Sequence, residues 1–307
     1  MLSLQALFGL IVFVGIAVLC SEKRQLPGWR LLLTGFGLQF LFAFGVFNIG
    51  FLQQFLSLLN DGVGAIVAAT ESGTLFVFGY LGGDPANVDY PFTVSEPGAT
   101  MVLAFRVLPL ILVFSVLSAI LWHYRILPQI VRGFSFVLQK SMNVSGAVGL
   151  SSAANIFIGM VESPALIRPY IKVLTRGELF IVMSCGMATI AGTVMVLYSV
   201  VLQGLLENPL GHIITASVIS APAAIMLAII MVPESEKVSG DDIKLHTEYH
   251  SLMDAITQGT ADGVKLMVNV GAMLLVLVAL VALLNSALSL LPFPGAEPIT
   301  LQKLFGY

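Results

Sequence analysis

The sequence Glu162-Ser163-Pro164 lies inside a long apolar segment and restricts the fold more than any other feature of the chain. Proline has no N–H and disfavours helical geometry in the residue before it, so a helix should end or break at this point. A carboxylate is costly at membrane depth and normally faces a cavity, a partner or a pathway. If this segment lies in a membrane, Glu162 marks an interrupted helix and a candidate site.

The composition places the chain in a membrane. Of its 307 residues, 57% are hydrophobic and only 10% are charged, whereas soluble domains carry about 25% charged residues. Because so few charges cannot cover a soluble protein of this length, we predict an all-α polytopic membrane protein with membrane lipid as a partner. The weak net charge of −3 and the absence of a basic patch argue against a nucleic-acid partner.

Apolar runs of about 20 residues predict about six transmembrane helices. Residues 51–82 are apolar but rich in glycine and polar side chains, which favours helices along the interface or packed inside the protein. Residues 124–140 are amphipathic, and residues 234–262 form the longest polar stretch. We expect a kink near Pro109, within the third predicted span. The predicted spans are residues 4–20, 31–50, 101–122, 178–206, 213–233 and 264–290.

The basic residues predict the orientation. Lysine and arginine occur at 23–30, on both flanks of the Glu162 segment and after residue 233, whereas the charged residues of loop 83–100 are all acidic. The positive-inside rule then places the N-terminus and loop 83–100 outside, and both flanks of the Glu162 segment on the cytoplasmic side. A segment with both ends on one side cannot cross. We therefore predict a re-entrant hairpin over residues 142–173, with a helix over residues 142–158 as its first arm and its turn at 160–164.

Several polar groups near this turn are candidates for binding. Glu162 could accept hydrogen bonds from a substrate, carry a proton or pair with a cation, or it could be a structural carboxylate held by neighbouring helices. The Asn155 amide oxygen could bind a hard cation together with freed carbonyls near Ile158, or it could make an interhelical hydrogen bond. The small residues of 186–193 favour close helix packing, although Thr189 and Thr193 could supply hydroxyl ligands.

The sequence has none of the patterns typical of an enzyme. It contains no nucleotide-binding glycine-rich loop followed by lysine and no arrangement of a nucleophile with histidine. The two cysteines, Cys20 and Cys185, lie in apolar runs and fit no metal or redox spacing. We therefore expect no enzymatic activity, no cofactor and no metal beyond a possible coupling Na⁺, with H⁺ as the alternative coupling ion.

Several motifs along the chain match a known family. They are Gly149-Leu150, Ser151-Ser-Ala-Ala-Asn-Ile-Phe157, Gly159, Glu162-Ser-Pro164, Ile167-Arg-Pro-Tyr170, Leu174-Thr-Arg176, Gly186-Met-Ala-Thr-Ile-Ala-Gly192 and Asn269-Val-Gly-Ala-Met273. Together they resemble the concentrative nucleoside transporter family over essentially the whole chain, most specifically over residues 149–198. The resemblance implies a homotrimer in the cytoplasmic membrane that imports nucleosides by alternating access, driven by sodium or protons, and that has two re-entrant hairpins.

The resemblance also implies a cation site. In sodium-coupled members the site uses the asparagine of the first hairpin, a nearby carbonyl of the hairpin tip, and a serine or threonine with its neighbour in the next span. The corresponding positions here are Asn155, Ile158, Thr189 and Ile190.

The resemblance further implies a substrate site at the hairpin tip. Many members read Gly-Gln-Thr-Glu-Ala-Pro there, and the Gln, Thr and Glu contact the nucleoside. The positions that match them are Met160, Val161 and Glu162, so the glutamate is retained and two polar contacts are replaced by apolar side chains. This tip looks like that of a subgroup with pseudouridine-type carriers, which suggests a uridine-like or pseudouridine-like substrate.

The resemblance divides the chain into three parts. Residues 1–140 would form scaffold spans and interfacial helices, 141–206 the hairpin and following span as a transport unit, and 207–307 further spans with a cytoplasmic amphipathic segment. In the family, ribose is held by a second hairpin and the broken helix after it, and we expect this chain to end before them. It would then be a fragment of a carrier, or its missing half would come from elsewhere. The alternative is a non-transporting scaffold or assembly subunit of the same fold.

Overall fold

The regular elements of the described chain are helices, in agreement with the predicted all-α class. A computed structural model describes residues 2–24, 28–83, 88–93, 100, 102–160, 163, 166–167, 170–202, 205–206, 208–233, 249–289 and 300–306. The helices are α1 Leu2–Leu19, α2 Trp29–Asn48, α3 Gly50–Phe78, α4 Leu103–Arg106, α5 Leu108–His123, α6 Ile126–Met142, α7 Gly146–Asn155, α8 Arg176–Ala188, α9 Gly192–Val201, α10 Pro209–Met231, α11 Leu252–Ser289 and α12 Leu301–Gly306.

Six stretches of the described chain are long and apolar enough to cross a membrane, judged by length and composition. They correspond to α2, α3 with the turn after it, α4–α5, α8–α9, α10 and α11. The predicted kink before Pro109 is present, since α4 ends at Arg106 and α5 begins at Leu108 with the proline in its first turn. Helix α1 has 18 residues, which span about 27 Å at 1.5 Å per residue.

The ends of α1 and α10 and the start of α8 lie together. The Glu22 N–H donates to the Met231 carbonyl over 3.0 Å, and the Glu22 carboxylate pairs with Arg176 over 2.5 Å. These contacts bring three segments to one side, as the distribution of basic residues predicts. That this side is cytoplasmic stays a prediction.

Helices α5 and α11 pack antiparallel at close range. A Cβ on Gly259 would lie 2.9 Å from the Ala119 Cβ, and one on Gly263 would lie 2.9 Å from the Leu112 Cα. The start of α11 therefore lies beside the end of α5. The polar residues 234–251 that connect α10 to α11 are too polar to cross a membrane, so α5 and α10 end on the same side.

This connectivity decides between two positions for α3. Residues 51–82 were expected to lie along the interface or inside the protein, and the structure forms one continuous helix over Gly50–Phe78, followed by a 3-10 turn at Gly79–Gly82. Its length would permit a crossing. However, α2 begins on the side where α1 and α10 end, so it finishes on the opposite side, where α3 begins. Helix α5 ends on the α10 side, so it must also begin on that opposite side. Both ends of α3 then lie on that opposite side, which favours the interfacial position.

The predicted span over residues 178–206 is present as the apolar stretch Arg176–Val201, but it is not one continuous helix. The chain forms α8 up to Ala188, an extended segment over 189–191 and then α9 from Gly192. Thr189 has φ −102° and ψ 159°, which is β geometry. Thr189 and Ile190 are β-branched residues with low helix propensity, and the following glycine admits a close contact with another backbone, described below.

Helix α11 begins well before the predicted span 264–290 and extends into the expected polar stretch. Its start is capped, because the Asp254 N–H donates to the Ser251 Oγ and the His250 N–H donates to the Asp254 carboxylate. With 38 residues it would measure about 57 Å, more than a hydrocarbon core of about 30 Å. A polar first portion outside the lipid is therefore compatible with one continuous helix.

The first arm of the hairpin is shorter than expected. A helix was predicted over residues 142–158, but α6 ends at Met142 and α7 covers only Gly146–Asn155. The interruption is at Asn143, which adopts the left-handed conformation with φ 55°, a geometry that asparagine tolerates better than most residues. Every residue of α7 is buried, so the shortened arm lies at the centre of the described core.

The main core cluster surrounds α7. Val148 and Ala153 have no exposed surface, and they belong to the same cluster as Val131 of α6, Val182 of α8 and Ile225 of α10. Helix α6 contributes one face only, which agrees with the predicted amphipathic segment over 124–140. The hairpin arm is thus held on several sides by packed side chains, which fixes the position of its end at Asn155.

The interfacial position of α3 predicts a labelling pattern. In a Cys20→Ser background, cysteines placed at Asn48 and Asp89 should both react with a membrane-impermeant maleimide in intact cells, because both ends of α3 are outside. A cysteine at Lys23 should react only after permeabilisation. Protection of the Asp89 position together with labelling of the Asn48 position would instead place α3 across the membrane.

The close α5–α11 crossing predicts sensitivity at Gly263. Gly263→Ala would force its Cβ against the Leu112 backbone, and overpacking of this kind costs about 1–3 kcal/mol. We expect a lower melting temperature in detergent. Gly133→Ala is the matched control, because a Cβ there meets nothing within 4 Å. Equal melting temperatures for the two variants would contradict the crossing.

Candidate functional site

The hairpin closes through two buried serines. The Ser163 hydroxyl donates to the Ser151 carbonyl over 2.6 Å, and the two hydroxyl oxygens are 2.9 Å apart. Both side chains are fully buried. Because these residues are 12 positions apart, the chain has folded back on α7 by Ser163, close to the predicted turn at residues 160–164. The returning arm continues through Ile167 and Tyr170 to a 3-10 turn at Ile171–Val173.

The extended segment between α8 and α9 docks on the end of α7. The Thr189 Oγ1 lies 2.9 Å from the carbonyl oxygens of both Asn155 and Cys185, and either oxygen can accept its hydrogen. Further along, the Gly192 N–H donates to the Phe157 carbonyl over 3.1 Å. A Cβ on Gly192 would lie 2.5 Å from that carbonyl oxygen, so the approach depends on glycine. Two interrupted helices therefore meet at their breaks.

Asn155 is the unusual residue of this junction. Its side chain is 1% exposed, and among the described residues neither its Oδ1 nor its Nδ2 has a hydrogen-bond partner. Leaving a buried polar group unpaired costs about 1–3 kcal/mol, and such a group in a native structure calls for an explanation. A hard cation bound to the Oδ1 would supply a partner for the oxygen, and the neighbouring hydroxyl and carbonyl oxygens are the ligand type that such cations prefer.

The four predicted cation-site residues lie on the two segments that meet. Asn155 and Thr189 are joined directly through the Asn155 carbonyl. Ile158 follows Phe157, whose carbonyl accepts from Gly192, and Ile190 precedes Gly192 in the docked segment. The Ile190 N–H donates to the Ser217 Oγ of α10 over 3.3 Å, which anchors the extended segment from its other side.

The predicted substrate residues are only partly described. Met160 is 59% exposed, and a Cβ on Gly186 of α8 would lie 3.1 Å from the Met160 Cβ and 3.7 Å from the Asn155 Nδ2. The backbone of Met160 therefore passes close to α8, beside Asn155. Val161 and Glu162 lie outside the described residues.

A cavity of about 210 Å³ opens beside the hairpin tip. Its wall combines the tip, the start of α9, helix α5 and the polar beginning of α11. The lining includes Trp122, Ile158, Gly159, Thr193, Tyr249 and Asp262. The mixture of aromatic, hydroxyl and carboxylate groups suits a polar ligand with a planar ring. Within the described residues, no group of three or more His, Cys, Asp or Glu could hold a metal.

Sequence reasoning missed two contributors to this junction. The Phe157 carbonyl and Ser217 were not singled out, because each acts through a contact between distant segments. The small residues of 186–193 predict close packing, and Gly192 makes such a contact with a backbone carbonyl. A glycine two residues after a β-branched pair in an apolar run is also a signal for an interrupted helix with close backbone approach. Nothing local in the sequence indicates a role for Ser217.

The fold and this junction define a class of protein. Broken helices that meet within a bundle of membrane spans are the way in which secondary transporters build binding sites at membrane depth. Family profiles match three parts of the chain. Residues 8–81 match the N-terminus of Na⁺-dependent nucleoside transporters, residues 104–205 match a nucleoside recognition domain, and residues 212–307 match the C-terminus of Na⁺-dependent nucleoside transporters.

Individual relatives agree with the profiles. An uncharacterized transporter of Haemophilus influenzae is 35% identical over 99% of this chain and 70% of its own length. Sodium/nucleoside cotransporter 2 of Rattus norvegicus is 33% identical over 97% of this chain and 43% of its own length. The nucleoside permease NupC of Helicobacter pylori is 31% identical over 92% of this chain and 65% of its own length. The chain is thus shorter than each of these proteins.

Solved structures match at the level of the fold. The transporter CNTnw in an inward-facing substrate-bound state aligns with a TM-score of 0.80 and 32% identity, over 94% of this chain and 66% of that one. A doubly substituted CNTnw in an outward-facing state aligns with a TM-score of 0.83 over 100% and 70%. The chain belongs to the concentrative nucleoside transporter family. It is therefore a multi-pass protein of the plasma membrane, and its family consists of transporters rather than enzymes.

The buried serine pair predicts a test of the hairpin. Ser163→Ala would remove the donor to the Ser151 carbonyl and leave the Ser151 hydroxyl without its buried partner, at a cost of about 1–3 kcal/mol. We expect faster amide hydrogen exchange at residues 156–167 and a lower melting temperature. Ser199→Ala is the control, because that buried hydroxyl bonds only within its own helix, to Val196. Unchanged exchange in the Ser163 variant would refute the closure.

Proposed function

We propose that this chain forms the hairpin-bearing part of a carrier that takes up nucleosides across the cytoplasmic membrane, coupled to Na⁺. The observation that supports it most strongly is the buried Asn155 side chain without a partner, next to the Thr189 hydroxyl at the junction of two broken helices. Membership of the nucleoside transporter family supports the substrate class. H⁺ is the alternative coupling ion, and it would use the Glu162 carboxyl group.

The proposed cation site takes oxygen ligands from both broken segments. The Asn155 Oδ1 and the Thr189 hydroxyl would provide side-chain oxygens, and the carbonyls of Ile158 and Ile190 would provide backbone oxygens. Carbonyl and amide oxygens freed by interrupted helices are suited to coordinate Na⁺ in transporters. An ion at this place would be coordinated by the unpaired amide oxygen and would hold the end of α7 against the segment before α9, so that cation binding would order the hairpin tip.

The proposed substrate site would use the residues of the same tip. Glu162 would accept charge-assisted hydrogen bonds from nucleoside hydroxyls, while Met160 and Val161 would present apolar contacts. Loss of two polar groups at the tip removes hydrogen bonds to the base, which favours a uridine-like or pseudouridine-like substrate in this proposal. The cavity beside Trp122 and Tyr249 offers an aromatic surface near the tip.

Alternating access would follow from movement of the transport unit, residues 141–206, against a scaffold that includes residues 1–140 and the long α11. The tight α5–α11 pair supports this division, since it joins two scaffold helices through backbone contacts at Gly259 and Gly263. Residues 207–307 would complete the bundle around both parts. We propose that the scaffold assembles as a homotrimer, as the family resemblance implies.

Uptake of labelled nucleosides tests the proposal directly. Cells that express the chain, alone and extended through any coding sequence that follows Tyr307, should be compared for uridine and pseudouridine uptake with and without Na⁺. Na⁺-dependent uptake by either form supports the proposal. Uptake that depends on pH rather than on Na⁺ would assign H⁺ as the coupling ion. Uptake by neither form would overturn the transport function and favour the scaffold alternative.

Asn155→Leu should separate ion coupling from stability. The substitution removes a buried amide that has no partner, so without Na⁺ the melting temperature should stay the same or rise. The increase in melting temperature caused by Na⁺ should disappear, as should Na⁺-dependent uptake. Asn48→Ala, at an exposed asparagine that bonds only within its helix, should keep both. A Na⁺ response that survives in the Asn155 variant would contradict the proposed site.

Glu162→Gln should abolish nucleoside uptake or weaken it at least tenfold, because the charge-assisted hydrogen bonds to the substrate are lost. The oligomeric state on a sizing column should remain that of the unmodified protein. Asp89→Asn removes a carboxylate from the exposed outer loop and should leave uptake intact. Normal uptake by the Glu162 variant would argue against its assignment.

A further inference from the structure

A groove of about 370 Å³ opens where the end of α1, the start of α8 and the end of α10 meet. We call it the Arg176 groove, and its lining includes Cys20, Glu22, Arg176, Leu179, Met183 and Met231. It lies where these three apolar helices begin or end, at the edge that holds the Glu22–Arg176 pair, and it is separate from the junction of the broken helices. Its volume falls in the range of ligand-binding clefts, about 300–1,000 Å³.

The segments that lead to the groove carry basic residues. Arg176 is in the lining with 76% of its side chain exposed. Lys23 and Arg24 directly follow Glu22, Lys172 lies four residues before Arg176, and all three are exposed. Within the described residues, the pair with Glu22 is the single ion pair made by these four cations. One carboxylate uses part of one guanidinium, which carries five N–H donors, so positive charge remains available to an anion.

An apolar track leads from Arg176 along α8. Leu179, Met183 and Met187 are 40%, 58% and 74% exposed. They follow one another at intervals of four residues, so they share one face of the helix. Arg176 precedes Leu179 by three residues and lies on the same face. A cationic head and an apolar track of about 12 Å, at 1.5 Å per residue, are therefore aligned.

We propose that the Arg176 groove binds an anionic phospholipid of the cytoplasmic leaflet. Its phosphate would accept charge-assisted hydrogen bonds from Arg176, with Lys23, Arg24 and Lys172 around it, and one acyl chain would follow Leu179 and Met183 along α8. Basic pockets between membrane helices on the cytoplasmic side suit acidic lipid head groups. A free phosphate or nucleotide would leave the apolar track uncovered, so the combined chemistry favours a lipid.

The site joins two parts of the molecule. Helix α8 is the first half of the broken span, and its start is already capped by Thr175, whose hydroxyl accepts from the Glu178 N–H. The groove lies between this start and the ends of α1 and α10. A bound lipid would therefore stabilise the position of α8 relative to α1. The inference depends on the membrane fold and not on the identity of the transported substrate.

Lipid retention tests the proposal. The purified protein should be exchanged into detergent with phosphatidylglycerol or phosphatidylcholine, and bound lipid should be counted by native mass spectrometry alongside the melting temperature. We expect retention of one phosphatidylglycerol per chain at least fivefold stronger than retention of phosphatidylcholine, and no thermal shift with glycerol 3-phosphate alone. Arg176→Gln should abolish this preference. Met183→Ser, which retains the cationic side chains, should weaken retention.

Glu22→Gln is the matched control. It breaks the same ion pair as Arg176→Gln but leaves the guanidinium free, so selective retention should persist or increase. Loss of retention in both variants alike would show that only the ion pair between α1 and α8 matters and would overturn the proposal. Equal retention of the two lipids would identify bulk lipid contact. A changed oligomeric state without a change in lipid retention would identify a subunit contact, and either result would also overturn it.

Discussion

The requirement that freed backbone groups find partners inside the protein determines how this molecule is built. A helix that breaks within a membrane releases N–H and C=O groups where water cannot pair with them. Here groups at the two helix breaks form hydrogen bonds with each other, because the Gly192 N–H donates to the Phe157 carbonyl and the Thr189 hydroxyl donates to the Asn155 carbonyl. The position of the candidate site follows from this pairing.

Glycines make that pairing and the surrounding packing possible. Gly192 lets one backbone approach another, Gly186 leaves room for Met160 and Asn155, and Gly263 admits the backbone of α5. In lipid there is little hydrophobic driving force for helices to associate, so close contact between them depends on such small residues. The glycine positions thus mark the contacts within each part of the molecule as well as the contact at the junction.

Features encoded by local chemistry could be predicted from the sequence. Proline and charge at 162–164 predicted the turn of the hairpin, Pro109 predicted the kink before α5, and the basic residues predicted that the loops at Glu22 and Arg176 share a side. The family resemblance supplied Asn155 and Thr189 as partners. The break at 189–191 could not be placed in the same way, because it depends on hydrogen bonds to Phe157 and Ser217, which are remote in sequence.

The remaining differences have the same origin. The end of α6 at Asn143 depends on a left-handed backbone that periodicity does not reveal, and the early start of α11 depends on capping by Ser251 and Asp254. The burial of the Asn155 amide without a partner is a property of packing around α7, so a pattern of residue types cannot predict it. The sequence thus suggested the residues of the candidate site, and the folded chain shows how Asn155 and Thr189 among them are joined.

The Thr189 hydroxyl has one hydrogen but lies 2.9 Å from two carbonyl oxygens, those of Asn155 and Cys185. It can fully satisfy only one of them at a time. Rotation of this single O–H bond exchanges a contact between segments for a contact within α8, and no heavy atom has to move. The coupling between the two broken helices can therefore be changed by a torsion of one hydroxyl group, which is among the fastest and least costly motions available to a protein.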